Sequence, residues 1–111
     1  MVRIYTLTLA PSLDSATITP QIYPEGKLRC SAPVFEPGGG GINVARAIVH
    51  LGGSATALFP AGGATGEHLV SLLNDEKVAV ETVSARDWTR QNLHVHVESS
   101  GEQYRFVMPG A

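Results

Sequence analysis

Cysteine, basic charge and long apolar runs are all scarce in this chain, and each shortage excludes a class of protein. The single cysteine, Cys30, rules out an internal disulfide framework and predicts a reducing, cytoplasmic environment. We expect it to be a half-buried strand residue. Eight Lys and Arg against ten Asp and Glu leave a net charge of −2 and no basic stripe, which argues against nucleic acid as a partner. No apolar run approaches the ~20 residues that span a bilayer, and the N-terminus lacks a signal peptide's apolar core.

What the chain does contain is an alternation of apolar strands and amphipathic helices. Hydrophobic residues make up 43% of the 111 residues, which is typical of one globular domain or of a piece of a larger one. The predicted strands are residues 2–9, 55–60 and 78–83, and the predicted helices are residues 42–51 and 66–75. Thr65 is placed to cap the second helix. This alternation predicts an α/β fold with a parallel βαβ core.

Two hairpins are predicted outside this core. Residues 17–23 and 28–35 flank a Pro-Glu-Gly-Lys turn, with Lys27 at its tip. Residues 93–97 and 103–108 flank a Ser-Ser-Gly-Glu turn. Together these hairpins can form a small separate sheet.

Residues 38–53 say most about function. Four glycines run into the first predicted helix, and Asn43 lies in its first turn. Glycine allows a positive φ and a close approach to a ligand, and a helix start offers unpaired N–H groups. The pattern predicts a site for a polar or anionic small molecule, with a flexible linker as the alternative. Nucleotide loops fit poorly, because no Gly-Lys-Ser or Gly-Lys-Thr follows and Asn43 replaces the third Rossmann glycine.

A few other side chains are candidates for chemistry. Asp14 lies just past the first predicted strand, where α/β sheets place ligand-binding residues, although a turn role is open. Arg90 and Lys27 could meet a phosphate or be solvated surface charges. His94 and His96 point the same way from one strand. Because no further ligand completes a zinc set at the expected spacing, we predict no metal site.

The order and spacing of seven residues resemble the N-terminal signature of the ribokinase-like (PfkB) carbohydrate kinases. These residues are Gly39, Gly40, Gly41, Asn43, Ala45, Gly52 and Gly62. The similarity covers the whole chain and is strongest to members that phosphorylate fructose 6-phosphate. Family members are far longer, so the resemblance implies an N-terminal part truncated after residue 111. Their Gly-Ala-Gly-Asp motif, which carries the catalytic aspartate, does not occur here, so no catalytic residue is expected in this chain.

The resemblance implies an α/β core with a small β-sheet lid. Residues 1–14 would form a core strand, 15–36 lid strands, 37–87 the rest of the core and 88–108 a lid hairpin. Two copies would form a homodimer through their lid sheets. Lys27 would then lie close to the nucleotide site of the partner subunit.

The resemblance also implies roles for the candidate site residues. Asp14, Gly39, Gly40 and Asn43 would hold the sugar, and Arg90 would contact the substrate phosphate. The implied reaction is the ATP-dependent phosphorylation of fructose 6-phosphate at its C1 hydroxyl, a step of glycolysis. ATP and Mg²⁺ would be needed, with their main sites outside this chain.

Alternatives to this reaction stay open. The substrate could be fructose 1-phosphate, tagatose 6-phosphate or an unphosphorylated sugar. The chain could also be a non-catalytic fragment that binds sugar or dimerises, and we expect the 111 residues alone to be inactive.

Overall fold

The computed structural model describes residues 3–110, which form two sheets and two helices. In chain order the elements are β1 (Tyr5–Leu7), β2 (Ser12–Thr19), β3 (Val34–Gly38), α1 (Gly40–His50), β4 (Thr56–Ala61), α2 (Gly63–Asp75), β5 (Ala79–Ser84), β6 (Arg90–Val97) and β7 (Gln103–Phe106). One sheet is parallel, in the order β1-β4-β5. The other has the order β3-β2-β6-β7, with β2 parallel to β6. The predicted α/β fold, with a parallel core and a small second sheet, is confirmed.

The hydrophobic core lies between the parallel sheet and the two helices. α1 buries Ile42 and Ala45, α2 buries Leu69 and Leu73, and β4 contributes Phe59. Apolar residues three or four apart form one face of each helix, and alternate residues of β4 face that side. Ile48 and Val49, which lie on the same face of α1 as Ile42 and Ala45, are half-buried against the same cluster.

The early strands differ from the prediction. β2 starts before the strand predicted at 17–23, β3 extends beyond the strand predicted at 28–35, and residues 20–33 form no strand. Asp14 therefore lies inside β2 and not just past a strand end. Pairing with β3 and β6 on its two sides stabilises β2 where the local sequence signal is weak. Cys30 is exposed and outside the strands, so its predicted half-burial is wrong.

The helices begin earlier than predicted. α1 starts at Gly40 and α2 at Gly63, which follows the N-cap residue Gly62. The predicted Thr65 cap is wrong, because Thr65 lies inside the first turn and its Oγ1 donates to Thr89 O at 2.7 Å. The remaining predicted strands are present with ends shifted by a few residues, and residue 2 of the strand predicted at 2–9 lies outside the described residues. Within residues 3–110 no helix is long and apolar enough to cross a membrane.

Candidate functional site

Residues 8–11, the crossover segment, carry the chain from β1 in the parallel sheet to β2 in the second sheet. Thr8 N donates to Leu58 O at 3.0 Å, which continues the pairing of β1 with β4 beyond the end of the strand. Pro11 and Ser12 are buried. Because the crossover segment is fixed at both ends, the residues that contact it are held close to one another.

Thr8 caps α1 from outside the helix. The first amides of a helix have no partner within it, and the N-cap residue Gly39 has no side chain to offer. Thr8 Oγ1 accepts the Ile42 N–H at 3.0 Å, and both residues are buried. Gly39 has φ of 129°, which side chains disfavour, and a Cβ atom there would meet Thr8 Cγ2 at 2.6 Å. Thr8 and Gly39 together determine where α1 begins.

Asp14 lies on β2 against the end of β3. The two strands pair so that Ser12 faces Gly38, and Ser12 Oγ donates to Asp14 Oδ1 at 2.6 Å. A Cβ atom at Gly38 would overlap the Ser12 hydroxyl and the Asp14 carboxylate, so this glycine lets the carboxylate lie against the backbone. Asp14 is half-buried. A carboxylate has about four lone-pair sites, so Asp14 can accept further hydrogen bonds from ligand hydroxyls.

Arg90 reaches the crossover segment from β6, where the parallel register places it beside Ser12. Its Nη2 donates to Ala10 O at 2.9 Å and its Nη1 to Met108 O at 2.7 Å. Its Nε is buried without a hydrogen-bond partner among the residues that the structure describes. A guanidinium has five N–H donors, so Arg90 can hold two carbonyls and still donate to an anion.

The structure brings several of the predicted site residues together around the crossover segment. These are Asp14, Gly39 and Arg90. Gly40 follows Gly39 as the first residue of α1 and is exposed. Asn43 lies one turn into α1 with an exposed side chain, and its N–H donates to Gly39 O at 2.9 Å. Its position therefore follows that of the glycine loop.

Lys27 does not join this group. It is exposed in the strand-free stretch 20–33, where its carbonyl accepts the Tyr23 hydroxyl at 3.0 Å. Its predicted role at a partner's nucleotide site stays a prediction.

Sequence reasoning missed Thr8 and Asn92. Asn92 is 6% exposed, and its Oδ1 accepts the Met108 N–H at 2.9 Å. Two signals point to these residues in hindsight. Thr8 follows the carboxyl end of a core strand, and Asn92 is two residues from Arg90 on one strand, so both face the same way.

His94 and His96 both lie on β6. Across the described range 3–110, no three His, Cys, Asp or Glu side chains are grouped to hold a metal ion. His94 and His96 line a pocket of about 170 Å³ together with Ala16, Thr17 and Gln103.

Residues 7–111 match the sequence model of the pfkB family of carbohydrate kinases. The chain is 91% identical over 111 residues to the ATP-dependent 6-phosphofructokinase isozyme 2 of Escherichia coli strain K12, covering 100% of this chain and 36% of that protein. It is similar in structure to phosphofructokinase-2 from Escherichia coli in complex with fructose-6-phosphate, with a TM-score of 0.95, 91% identity and coverage of 100% and 37% of the two chains.

The tetrameric inhibited form of phosphofructokinase-2 from Escherichia coli is also similar, with a TM-score of 0.93, 91% identity and coverage of 100% and 36% of the two chains. That relative is named as a tetramer, whereas the resemblance implied a homodimer. The chain spans little more than a third of the length of the proteins it matches.

Proposed function

Because the chain belongs to the pfkB family of carbohydrate kinases, we propose that it is the substrate-binding part of a kinase that uses ATP to phosphorylate fructose 6-phosphate at its C1 hydroxyl. One observation carries this proposal. A carboxylate and a guanidinium, those of Asp14 and Arg90, lie on neighbouring strands at the crossover segment, beside a glycine-rich helix start. The identity of 91% to a named 6-phosphofructokinase supports this choice of substrate.

Different site residues contact different parts of the substrate. Asp14 accepts hydrogen bonds from sugar hydroxyls, while the Gly39 and Gly40 amides and the Asn43 side chain hold the sugar from the helix start. Arg90 donates to the phosphate, which a guanidinium fork matches in shape and charge. Phosphoryl transfer depends on positioning and charge stabilisation, and these residues contribute the positioning.

The second sheet serves as a lid and as a contact between two copies of the protein. Leu93 and Phe106 are cross-strand partners, and each remains partly exposed, by 37% and 46%. An adjoining apolar pair of this kind supports coverage by a second copy. Lys27 then approaches the nucleotide of the partner subunit.

The main sites for ATP and Mg²⁺ lie outside this chain. The described part of the chain has no cluster of metal ligands, and the sequence has neither Gly-Lys-Ser nor Gly-Ala-Gly-Asp. These residues therefore do not fit a nucleotide–metal site, and we assign no step of the transfer to them. The 111-residue chain alone is expected to show no ATP-dependent kinase activity. Measurable turnover would contradict the proposal that the machinery for phosphoryl transfer lies outside this chain.

Substitutions at Asn43 and Arg90 in the intact kinase test the proposal. Asn43→Ala should lower kcat/KM for fructose 6-phosphate roughly tenfold or more, since one hydrogen bond is worth about 1–3 kcal/mol. Ala47→Ser, at an exposed position of the same helix, is the matched control and should change kcat/KM less than about twofold. Arg90→Ala should weaken the use of fructose 6-phosphate more than that of fructose.

Different results refute different parts of the proposal. An unchanged kcat/KM in Asn43→Ala contradicts the sugar contact, and an equal loss on both sugars in Arg90→Ala contradicts the phosphate contact. A panel with fructose 1-phosphate and tagatose 6-phosphate identifies the substrate by its kcat/KM. A higher value for either of these would overturn fructose 6-phosphate as the substrate.

A further inference from the structure

Asn92 is a buried amide that the proposed function leaves unused. The β2–β6 register places it beside Asp14, and only 6% of the residue is exposed. It lies two residues after Arg90 on β6, so both side chains leave the same face of the sheet. A buried side-chain amide is costly unless it is hydrogen-bonded, which makes its partner informative.

That partner is the backbone of Met108. The Met108 N–H donates to Asn92 Oδ1 at 2.9 Å, and the Met108 carbonyl accepts from Arg90 Nη1 at 2.7 Å. Met108 lies beyond β7, which ends at Phe106, so the ladder between strands does not hold it. The side chains of Asn92 and Arg90 therefore bind the N–H and the carbonyl of the same residue, Met108.

The Arg90 guanidinium also contacts the crossover segment, because its Nη2 donates to Ala10 O at 2.9 Å. Its orientation thus depends on two carbonyls that belong to distant parts of the chain. The position of Ala10 is constrained by the strands on either side of the crossover segment. The position of Met108 depends on its hydrogen bond to Asn92. A long arginine side chain loses rotamer freedom when it is ordered, and these contacts order it before any ligand arrives.

We propose that Asn92 is a positioning residue, which holds the Met108 carbonyl so that Arg90 presents its remaining N–H groups to the phosphate of the sugar substrate. This role rests on the proposed function of Arg90 as the phosphate ligand. A donor that is already oriented binds its anion more tightly than one that must be ordered on binding. Asn92 itself does not contact the substrate.

A double-mutant cycle in the intact kinase tests this role. Asn92→Leu has nearly the same size and removes the acceptor. We expect it to raise KM for fructose 6-phosphate roughly three- to tenfold, the effect of ordering one long side chain on binding. kcat, and KM for fructose, should change less. In an Arg90→Ala background, Asn92→Leu should have no further effect on KM, because the two residues act as one unit.

Thr17→Val is the matched control. Thr17 lies on β2 of the same sheet and is 9% exposed, and its Oγ1 donates to Ser31 O at 2.7 Å. The substitution therefore also removes a partly buried hydrogen bond from a side chain to the backbone, but one that does not reach Arg90. KM for fructose 6-phosphate should stay within about twofold of the parent value.

Several outcomes would overturn the role of Asn92. These are an unchanged KM in Asn92→Leu, an equal rise for both sugars, a similar rise in Thr17→Val, or a full additional effect in the Arg90→Ala background. If circular dichroism shows that Asn92→Leu does not fold, Asn92→Ala is measured and judged by the same criteria.

A parent enzyme that phosphorylates neither sugar contradicts the proposed function instead. In that case, titration calorimetry with inorganic phosphate decides the role of Asn92. Weaker phosphate binding in the Asn92 variant than in the parent supports it, and equal binding or no binding in either protein overturns it.

Discussion

Replacing Thr8 by valine tests whether the start of α1 is fixed from outside the helix. Valine has the shape of threonine, so it keeps a γ-methyl group beside Gly39 and loses only the hydroxyl that accepts the Ile42 N–H at 3.0 Å. Thr8 is 7% exposed and Ile42 is fully buried. Water therefore has little access to replace the lost acceptor.

The expected loss follows from that geometry. A buried N–H group without a partner costs about 1–3 kcal/mol, and the free energy of unfolding of the intact protein should fall by this amount. The same helix start carries Asn43 and adjoins Gly39. KM for the proposed substrate, fructose 6-phosphate, should therefore rise together with the loss of stability.

Urea denaturation followed by circular dichroism measures the change in the free energy of unfolding. Thr8→Ser is the matched control, because it keeps the hydroxyl and loses one methyl group, worth about 0.8 kcal/mol. It should leave KM unchanged. A Thr8→Val protein within about 0.5 kcal/mol of the parent, the usual range for substitutions that break nothing, would refute the capping role of Thr8. An equal KM in both variants would refute its link to the sugar site.

Two further predictions concern the core and the glycine loop. Phe59→Ala, at a fully buried position of β4, should lower the free energy of unfolding by about 3–5 kcal/mol in the same urea assay; a loss below about 1 kcal/mol would contradict its place in the core. Gly39→Ala should cost about 1–3 kcal/mol because φ is 129° there. Gly40→Ala should leave stability almost unchanged, since a Cβ atom at Gly40 meets no neighbour within 4 Å; equal losses in the two variants would disprove the backbone argument.

The parts of the fold that were predictable have strong local signals. α1 was predictable because its apolar residues recur every three or four positions between a run of four glycines and the pair Gly52 and Gly53. β2 was misplaced because Ser12–Thr19 is mostly small and polar and follows a proline. Its strand conformation depends on β3 and β6, and the partner residues in β6 are more than seventy positions away. Patterns within a single sequence do not reveal strand pairing between residues so far apart.

In the candidate site, too, residues with a local sequence signal were predictable and residues defined by long-range contacts were not. The glycine loop and Asn43 stand out within one short stretch, position and charge made Asp14 and Arg90 candidates, and the family resemblance gave them roles. The local signals at Thr8 and Asn92 are weak, because the roles of these residues lie in contacts with backbone groups 34 and 16 residues away. Those contacts exist only once both sheets have formed.

The pairing of β2 with β6 also determines when the site can form during synthesis. The hydrogen bond from Arg90 to Ala10 spans 80 residues, and β3, α1, β4, α2 and β5 all lie between its ends. Contacts of such long range close slowly, because the entropy of the loop is lost before they add stability. At ~5–20 residues per second, Arg90 leaves the ribosome several seconds after the glycine loop. A nascent chain can thus form α1 and the pairing of β1 with β4 while still lacking the guanidinium that we propose binds the substrate phosphate.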